Sequence, residues 1–478
     1  MRHYDCIALG TGSAMNVVQG LLEKNPEAKV AVVDKDEPGG ICLTKACIPS
    51  KLLGYPAEMV RQVQEASRHG IQAEIQAIDF RVVMERMRDT VSRESREIKE
   101  NLFQSEALDY YQGIVEFTGL YSMLVGEEEL SGDMILLCPG SRPAIPEIEG
   151  LEETGYLTSD TLLDLEELPE SLIILGGGYV AAEYGHFFSA MGARVSILGR
   201  NPRFLPAEEP EVSAVARDKM ARHMDIQVNH EVIRVGSGPD GRIRVVARDR
   251  STGEERELEA DKLLVAAGRA PNTPLLRVDR AGLETDSAGW LMVNDQLETS
   301  VTNVWAFGDG IGKHLYKHVA NYEASVVYAN AVLGHSMSVD YHAVPHAVFA
   351  WPEIAGVGMK EAEAVAEYGE ENVAIGFHPF EETARGEAMA AEDCFVKVVL
   401  EGSAERVLGA HIIGPQASLL IQELITIMNT RDRSPLPVVQ GMHIHPALSE
   451  VVEQAMFNTM SRGEYEHLLR HMIPELFE

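Results

Sequence analysis

Apolar residues follow the same pattern near the start of the chain and again after residue 170. Asp5–Leu9 and Ser171–Leu175 are short apolar runs, which is typical of strands. A glycine turn and a helix-compatible stretch follow each run, and each stretch leads to a second apolar run, Val30–Asp34 or Arg194–Leu198. The pattern therefore predicts a strand–helix–strand unit that occurs twice in the chain.

Glycines mark the turn between strand and helix in both units. The first copy has Gly10 and Gly12, and the second has Gly176 and Gly178. Glycines at these places let the backbone approach a pyrophosphate that rests on the helix N-terminus. Two such turns predict two dinucleotide sites. Met15 stands at the third glycine position of the first copy, which predicts looser packing of helix on strand there.

The residue that ends each second strand distinguishes the two dinucleotides. Asp34 ends the first and can accept hydrogen bonds from a ribose diol. The second copy has Gly199 at that place, followed by Arg200 and Arg203. A missing acid followed by arginines is typical of a site for a ribose 2′-phosphate, so NADPH is favoured over NADH. Arginines on a solvated surface are the alternative interpretation.

The rest of the chain contains helices and a third unit of another kind. Segment 86–104 is charged and predicts a long connecting helix. Segments 141–146 and 268–273 are interpreted as the crossover into the second unit and the return from it. From about His342, strands such as Phe395–Leu400 alternate with amphipathic helices, and no glycine fingerprint occurs. The predicted fold class is α/β, with two Rossmann-like dinucleotide-binding domains and a C-terminal α+β domain.

Two cysteines, Cys42 and Cys47, stand in the segment Gly39–Lys51. A disulfide needs Cα atoms within about 7 Å, whereas five residues of regular helix rise about 7.5 Å. A bridge therefore requires a tight or distorted turn, and Pro49 is expected to limit helix through the residue before it. Lys45, between the cysteines, is expected to favour a thiolate. Two buried free thiols are the alternative at this point.

Composition excludes several classes of function. The 478 residues suggest about three domains, and 45% hydrophobic residues with a mean hydropathy of −0.09 indicate large cores in a soluble protein. A net charge of −33 argues against nucleic acid and anionic membrane surfaces as partners. A solvated acidic surface is the interpretation we favour.

The five cysteines are too sparse for a secreted disulfide scaffold. Cys6, Cys138 and Cys394 lie in apolar runs and are interpreted as buried structural residues. No cluster of histidine, cysteine and carboxylate has zinc spacing, so no metal is predicted. No apolar run approaches 18 residues and no secretory signal is visible, so we expect a cytoplasmic protein without a membrane span.

Five ordered motifs resemble those of the flavin-dependent pyridine nucleotide–disulfide oxidoreductases along essentially the whole chain. Beside the glycine turns, Gly39–Lys51 is similar to the redox motif of that family, and Thr302–Asp309 to its second FAD motif. Trp351–Gly358 and His443–Glu450 are similar to motifs of its interface domain. Three segments are similar to the variants found in the mycothione reductase branch: Gly10–Ser13, Lys317–Asn321 and His445–Leu448.

The resemblance implies a division into three domains. Residues 1–150 and 274–341 would form an FAD-binding domain, and residues 151–273 an NAD(P)H-binding domain inserted in it. Residues 342–478 would form the interface or dimerisation domain.

The resemblance also implies a path for electrons. NADPH would pass hydride to FAD from the face guarded by Tyr179, and the flavin would then reduce the disulfide. Cys47 would be the charge-transfer thiolate, and Cys42 would attack the substrate disulfide. Lys51 would lie near the flavin and pair with Glu183, because a cation there stabilises negative charge on the reduced flavin.

Further roles follow from the same resemblance. Asp309 would bond the flavin side chain. His445 would be the acid–base, with Glu450 fixing its tautomer, and the chain would turn between them at Pro446. His443 is interpreted as structural. In the family this catalytic histidine reaches the active site of the other subunit, which implies an obligate homodimer.

The sequence thus predicts an FAD-dependent NAD(P)H:disulfide oxidoreductase that reduces a low-molecular-weight thiol disulfide through Cys42 and Cys47, with NADPH preferred. An NAD-linked dihydrolipoamide dehydrogenase in a multienzyme complex is the first alternative. A mercuric reductase would have a second cysteine pair, whereas no cysteine follows Cys394. A flavin-binding redox sensor would not need the His445–Glu450 motif. A peptide-like thiol, a sugar-linked thiol and coenzyme A disulfide all stay open as substrates.

Overall fold

The structure is a computed structural model that describes residues 1–238, 240–402 and 406–477. Up to residue 150 the elements are β1 (Arg2–Leu9), α1 (Ala14–Lys24), β2 (Val30–Asp34), α2 (Gly40–Thr44), α3 (Cys47–Glu65), α4 (Phe80–Gln104), β3 (Leu108–Gln112), β4 (Val115–Gly119), β5 (Ser122–Val125), β6 (Glu128–Leu137) and β7 (Ser141–Pro143). The elements that follow are α5 (Leu151–Thr154), β8 (Ser171–Leu175), α6 (Tyr179–Met191), β9 (Arg194–Leu198), α7 (Pro210–Ala221), β10 (Asp225–Gln227), β11 (His230–Ser237), β12 (Ile243–Asp249), β13 (Glu255–Ala260), β14 (Lys262–Val265) and β15 (Arg269–Pro271). The last elements are β16 (Val304–Ala306), α8 (Lys317–Val327), β17 (Pro345–Val348), β18 (Ile354–Gly358), α9 (Glu361–Tyr368), β19 (Val373–Pro379), α10 (Ala384–Ala388), β20 (Phe395–Glu401), β21 (Arg406–Ile413), α11 (Ala417–Met428), α12 (Leu436–Val439), α13 (Glu450–Phe457), β22 (Thr459–Ser461) and α14 (Arg462–Met472).

The first sheet has the strand order β3-β2-β1-β6-β5-β4, and β16 also pairs with β6. The central strand β1 pairs in parallel with β2 on one side and β6 on the other. Cys6, Ile7, Ala8 and Leu9 of β1 are all buried, as a strand covered on both faces requires. The strand order changes direction at the carboxyl end of β1, where open α/β sheets bind ligands.

The second sheet is a smaller parallel one, ordered β10-β9-β8-β14, with α6 connecting β8 to β9. An antiparallel sheet, β11-β12-β13, follows it in the chain. Both predicted strand–helix–strand units are therefore present. Segments 141–146 and 268–273, interpreted as the two crossovers, meet as an antiparallel ribbon of β7 and β15.

The six-stranded C-terminal sheet, called the third sheet below, is antiparallel throughout and follows the order β17-β18-β21-β20-β19-β22. Its inner positions are apolar, and α11 and α13 pack against it through residues such as Leu424 and Val452. The predicted C-terminal α+β domain and the overall α/β class are thus confirmed.

The long connecting helix predicted over 86–104 is α4, which begins earlier, at Phe80. Asp79 starts it, because its side chain accepts a hydrogen bond from the backbone N–H of Val82 at 3.2 Å. Phe80, Met84 and Met87 are buried on its inner side. The outer side is charged. No helix in the described ranges is both long and apolar enough to cross a membrane.

Candidate active site

The redox segment folds as two helices with a break between the cysteines. Cys42 lies in α2 and Cys47 begins α3, so the predicted distorted turn falls at Lys45 and Ala46. The expected limit on helix before Pro49 is wrong, because this proline lies in the first turn of α3. A first-turn residue has no N–H partner within its helix, so proline is tolerated there.

The two neighbouring thiols shift each other's pKa in opposite directions. The hydrogen bond from Cys42 lowers the pKa of Cys47, and the charge of Lys51 acts in the same direction against burial. The same hydrogen bond, together with burial, raises the pKa of Cys42. Cys47 is also the first residue of a helix, where the backbone dipole favours a negative charge. Both pKa shifts favour a negative charge on Cys47 over one on Cys42.

Lys45 does not act on the sulfurs as expected. Its Nζ lies 3.3 Å from Asp36 Oδ2 and 3.9 Å from Asp160 Oδ2. The cation that acts to lower the pKa of both thiols is Lys51, and Lys317 acts in the same direction on Cys42. Lys45 is not among the main causes of either thiol's pKa shift, and its side chain pairs with two carboxylates outside the redox segment.

Lys51 and Glu183, predicted to pair, are in direct contact. Lys51 Nζ donates to both carboxylate oxygens of Glu183 at 3.0 Å. The backbone N–H of Phe349 donates to the same carboxylate at 3.1 Å, and the Lys51 ammonium lies 4.4 Å from the centre of the Phe349 ring. Glu183 of α6 and Phe349, which follows β17, thus hold the ammonium group of Lys51 in place near Cys47.

The first glycine turn closes against the end of β6. Gly10 has a φ of 100°, and a Cβ there would lie 2.3 Å from the carbonyl oxygen of Cys138. Asp34 Oδ2 accepts hydrogen bonds from the backbone N–H and hydroxyl of Thr11, at 2.8 and 2.6 Å. Asp34 therefore fastens the turn to β2, while Gly12 leaves open space above it. Both residues line the cavity described below.

Asp309 is held by groups that come from the two crossover strands. Ser141 Oγ donates to Asp309 Oδ2 at 2.5 Å, and Arg269 Nε donates to the same hydroxyl at 2.5 Å. The guanidinium of Arg269 lies 3.9 Å from the Asp309 carboxylate. These contacts fix the carboxylate at the cavity wall.

The second glycine turn is built like the first. Gly176 has a φ of 138°, and a Cβ there would lie 2.1 Å from the carbonyl oxygen of Ala266. Gly178 is the N-cap of α6 and offers no side-chain cap, so the first N–H groups of the helix are free to bind an anion. Tyr179, the next residue, is 39% exposed and reaches the cavity.

The loop after β9 carries the two predicted phosphate-binding arginines. Arg200 and Arg203 are both exposed. In the described ranges, neither guanidinium has a carboxylate within 4.0 Å, so both charges are free. Arg250, from the next hairpin, donates to the backbone carbonyl of Arg200 at 3.0 Å.

His445 and Glu450 form a hydrogen-bonded pair at the start of α13. His445 Nδ1 lies 2.8 Å from Glu450 Oε1, and the backbone N–H of Ala447 donates to Glu450 Oε2 at 3.0 Å. The hydrogen bond from His445 lowers the pKa of Glu450. The His445 side chain is 74% exposed and lies outside the cavity of its own chain.

His443, interpreted as structural, has a largely buried side chain that lies between two carboxylates. Its Nε2 lies 3.1 Å from Glu423 and its Nδ1 lies 3.3 Å from Glu453. These contacts tie α11 to α13 beneath the His445 turn. They fit a positioning role rather than contact with a substrate.

One large cavity connects the predicted site residues. Its volume is about 890 Å³, and it runs from the first glycine turn to the redox pair and on to the side of α6. Predicted residues on its wall are Gly10, Gly12, Asp34, Cys42, Cys47, Lys51, Tyr179, Glu183 and Asp309. The cavity does not include Gly176, Gly178, Arg200, Arg203, His445 or Glu450.

Comparison with known families identifies the whole arrangement. The family model described as "Pyridine nucleotide-disulphide oxidoreductase" matches residues 4–328, and the dimerisation domain of the same family matches residues 344–456. The chain belongs to the pyridine nucleotide-disulphide oxidoreductases. The predicted family is confirmed, and with it the conclusion that the protein is an enzyme that binds FAD and NAD(P)H.

Relatives in this family are similar along nearly their full length. Mycothione reductase of Mycobacterium tuberculosis is 34% identical over 468 residues, covering 95% of this chain and 99% of that protein. Dihydrolipoyl dehydrogenase 2 of Haloarcula marismortui is 35% identical, covering 91% and 92%. The HOCl-induced flavoprotein disulfide reductase RclA from Escherichia coli has a TM-score of 0.83 at 26% identity, covering 95% and 99%.

Several site residues of this family member were not predicted from the sequence. Ser141 and Arg269 stand in segments interpreted only as crossovers, and nothing in their pattern indicated contact with Asp309. Glu323 is fully buried and accepts a hydrogen bond from the N–H of Gly308 at 2.6 Å. Lys317 was noted only as part of a motif.

The remaining cysteines differ in one respect from the prediction. Cys6 and Cys394 are buried, and burial raises the pKa of each to about 12. Cys138 follows β6 and lies on the cavity wall, where its thiol donates to the carbonyl of Phe307 at 3.3 Å. Burial raises its pKa to about 12 as well. Cys138 therefore packs against the core of the first sheet and also lines the cavity.

Proposed function

We propose that this protein reduces the disulfide of a low-molecular-weight thiol, using electrons from NADPH by way of FAD. The observation that supports this most is the Cys42–Cys47 pair, whose two thiols have pKa values shifted in opposite directions. One sulfur is suited to hold a negative charge and the other to attack a disulfide. A dissolved thiol disulfide needs only such a pair, a flavin and an acid.

The cavity fits an FAD molecule held by the residues predicted for it. Gly10 allows the tight turn against Cys138, Gly12 leaves room for a pyrophosphate, and Asp34 Oδ1 keeps capacity for a ribose hydroxyl. Asp309 lies on the wall farther along. We accordingly assign residues 1–150 and 274–341 to the FAD domain, 151–273 to the NAD(P)H domain and 342–478 to the interface domain. Bound FAD supplies the electron relay between nicotinamide and disulfide.

The residues of the chain then act in sequence. Tyr179 covers the place where the nicotinamide enters, and Lys51 holds a positive charge beside Cys47. Two electrons break the Cys42–Cys47 bond, and Cys47 keeps the negative charge while Cys42 carries the proton. His445 takes the proton of Cys42, and the Cys42 thiolate attacks the substrate disulfide, forming a mixed disulfide and expelling one thiolate, which takes that proton back from His445. The Cys47 thiolate then attacks Cys42, restores the Cys42–Cys47 bond and expels the second thiolate, which takes a proton from solvent.

His445 is the proposed acid that protonates the leaving thiolate, with Glu450 holding its ring. The exposed ring outside the cavity of its own chain supports a role in the site of a second subunit. We therefore propose that the enzyme works as a homodimer. We also propose a cytoplasmic location, where small thiols are kept reduced.

The preference for NADPH rests on the loop after β9. Gly199 has no carboxylate to bind a ribose diol, and Arg200 and Arg203 present free positive charges suited to a 2′-phosphate. A dihydrolipoamide dehydrogenase is the second candidate, because several relatives of similar identity carry that name. Such an enzyme normally uses NAD.

Anaerobic stopped-flow mixing with NADPH and with NADH tests the nucleotide preference, and it also distinguishes the proposed reductase from a dihydrolipoamide dehydrogenase. We expect faster flavin bleaching with NADPH, followed by reoxidation on addition of one class of small disulfide. The panel would contain a peptide-like, a sugar-linked and a coenzyme A disulfide, with lipoamide as the competing substrate. Preference for NADH together with much faster reduction of lipoamide would contradict the proposal and favour the dehydrogenase.

A further inference from the structure

Lys317 is a cavity residue to which the proposed reaction gives no role. It is the first residue of α8, and its Nζ donates to Ser13 Oγ at 2.9 Å. The Ser13 hydroxyl in turn donates to Asn321 Oδ1 at 2.9 Å, one turn further along α8. The ammonium group is thus fixed between the helix start and the first glycine turn. It is partly buried on the cavity wall.

The charge of Lys317 is not balanced locally. Four lysines line the cavity, and three of them are paired with carboxylates: Lys35 and Lys45 with Asp36, and Lys51 with Glu183. Lys317 Nζ has no carboxylate within 4.0 Å among the residues that the structure describes. A cation without a carboxylate partner is unusual in a chain with a net charge of −33. Partial burial of an unpaired charge also costs free energy.

The sulfurs lie within the field of this cation. The positive charges of Lys317 and Lys51 act to lower the pKa of Cys42, against its hydrogen bond to Cys47 and burial. Lys317 acts on Cys138 in the same direction. The other titratable groups that face this corner are Cys47 and Lys51 from α3, and Asp309 and Glu323 beside Cys138.

We propose that Lys317 is a second cation of the redox centre, which stabilises the negative charge that two-electron reduction leaves there. This inference rests on the proposed disulfide chemistry. Two electrons and one proton convert the Cys42–Cys47 bond into one thiol and one thiolate, so one negative charge is gained. Because Glu183 already neutralises Lys51, Lys317 is the cation whose full charge is available to offset it.

The test compares Lys317→Met with Lys317→Arg, which keeps the charge, and with Lys313→Met. Lys313 is exposed over the Tyr341 ring, so its removal takes one positive charge from the same region without touching the cavity wall. Each FAD-loaded variant is reduced with dithionite and titrated with pH, following the long-wavelength absorbance of the thiolate–flavin contact. The reduction potential is measured against a dye of known potential.

In Lys317→Met we expect the thiolate to titrate about one pH unit higher. We also expect the equilibrium constant for two-electron reduction to fall about tenfold, a shift of about 30 mV to more negative potential. Lys317→Arg and Lys313→Met are both expected to keep the thiolate titration and the reduction potential at their wild-type values.

Two results would overturn the inference. Unchanged titration and potential in Lys317→Met would mean that its charge does not reach the redox centre. Weaker FAD retention with an unchanged potential in the flavin-loaded fraction would instead make Lys317 a ligand of the FAD pyrophosphate. Dithionite needs neither NADPH nor a disulfide substrate, so a wrong assignment of donor or substrate would leave this measurement valid.

Discussion

At the scale of single residues, the two active cysteines differ in what surrounds them. Cys47 lies at a helix start beside Lys51, whereas Cys42 lies on the short helix α2. We predict that Cys42→Ser keeps reduction of the flavin by NADPH but loses disulfide turnover by at least about a thousandfold, because the attacking sulfur is gone. Stopped-flow absorbance and steady-state turnover measure the two halves separately.

Cys47→Ser provides the matched control for this prediction. It removes the sulfur that holds the negative charge, so the long-wavelength absorbance of the reduced enzyme should disappear, whereas Cys42→Ser should retain it. Wild-type turnover in Cys42→Ser would show that Cys42 does not attack the substrate.

Glu323 offers a prediction about pH at the same scale. Burial raises its pKa to about 6, although the hydroxyl of Tyr341 and the N–H of Gly308 both donate to it. A carboxyl whose pKa is raised by folding contributes stability when protonated, at low pH. That contribution is lost as pH rises from about 4.5 to about 6, and it amounts to about 2 kcal/mol.

Glu323→Gln stays neutral at every pH, so its melting temperature should rise relative to wild type as pH increases through this window. Thermal unfolding of the FAD-loaded proteins between pH 4.5 and 7.5 checks this. Glu284→Gln, at an exposed position, should show no such trend. An equal difference between Glu323→Gln and wild type at all pH values would mean that Glu323 does not titrate in this range.

At the scale of elements, a buried ion cluster joins α7 to the third sheet. Lys397 of β20 is fully buried, and its Nζ lies 2.5 Å from Glu211, 2.8 Å from Glu361 and 3.4 Å from Glu209. Glu209 and Glu211 are themselves buried at the start of α7. They directly follow the loop that carries Arg203, so the cluster fixes the far end of the proposed NADPH loop.

We predict that Lys397→Met destabilises the protein by about 3–5 kcal/mol, because it leaves the two buried carboxylates of Glu209 and Glu211 without this cation. Chemical denaturation measures this change. Lys219→Met removes a lysine from a pair with the exposed Asp393 at 3.2 Å and should cost less than about 1 kcal/mol. Similar losses in the two variants would show that the buried cluster is no stronger than a surface pair.

The elements that were predicted correctly are those that the pattern of apolar residues and glycines within a short segment determines. Two apolar strands with glycine turns predicted both dinucleotide units, because parallel strands and their turns leave a local signal. The start of α4 was placed six residues late, since its N-cap, Asp79, lies outside the charged stretch. The burial of Glu209 and Glu211 could not be predicted from the sequence. Carboxylates in an acidic chain are expected to be solvated, and their partner Lys397 is distant in the sequence.

At the scale of the whole molecule, the site is assembled from every part of the chain. The cavity wall takes residues from the crossover strand β15, from the helix starts of α3, α6 and α8, from β17 of the third sheet and from α11, which packs on that sheet. Sequence motifs could name most of these residues one by one. Their distances could not be predicted, because they depend on how the sheets pack against each other. The one predicted catalytic pair left outside is His445–Glu450.

The exposed position of His445 leads to a test of assembly. If His445 serves the partner, a dimer of one His445→Ala subunit and one Cys42→Ser subunit contains one complete site, formed by Cys42 of the first and His445 of the second. The other site lacks both groups. Differently tagged subunits purified as mixed dimers should therefore show about half of wild-type activity, while each parent variant loses about 10²–10⁴-fold or more.

The opposite arrangement gives the opposite result. If His445 acted on the cysteines of its own chain, each subunit of the mixed dimer would lack one essential group, and the mixed dimer would be as inactive as its parents. Recovery of activity thus requires that His445 cross the interface, and it also requires that a dimer be the working form. The same measurement with Glu450→Ala in place of His445→Ala should again recover activity, because Glu450 holds the His445 ring through the 2.8 Å hydrogen bond within one chain.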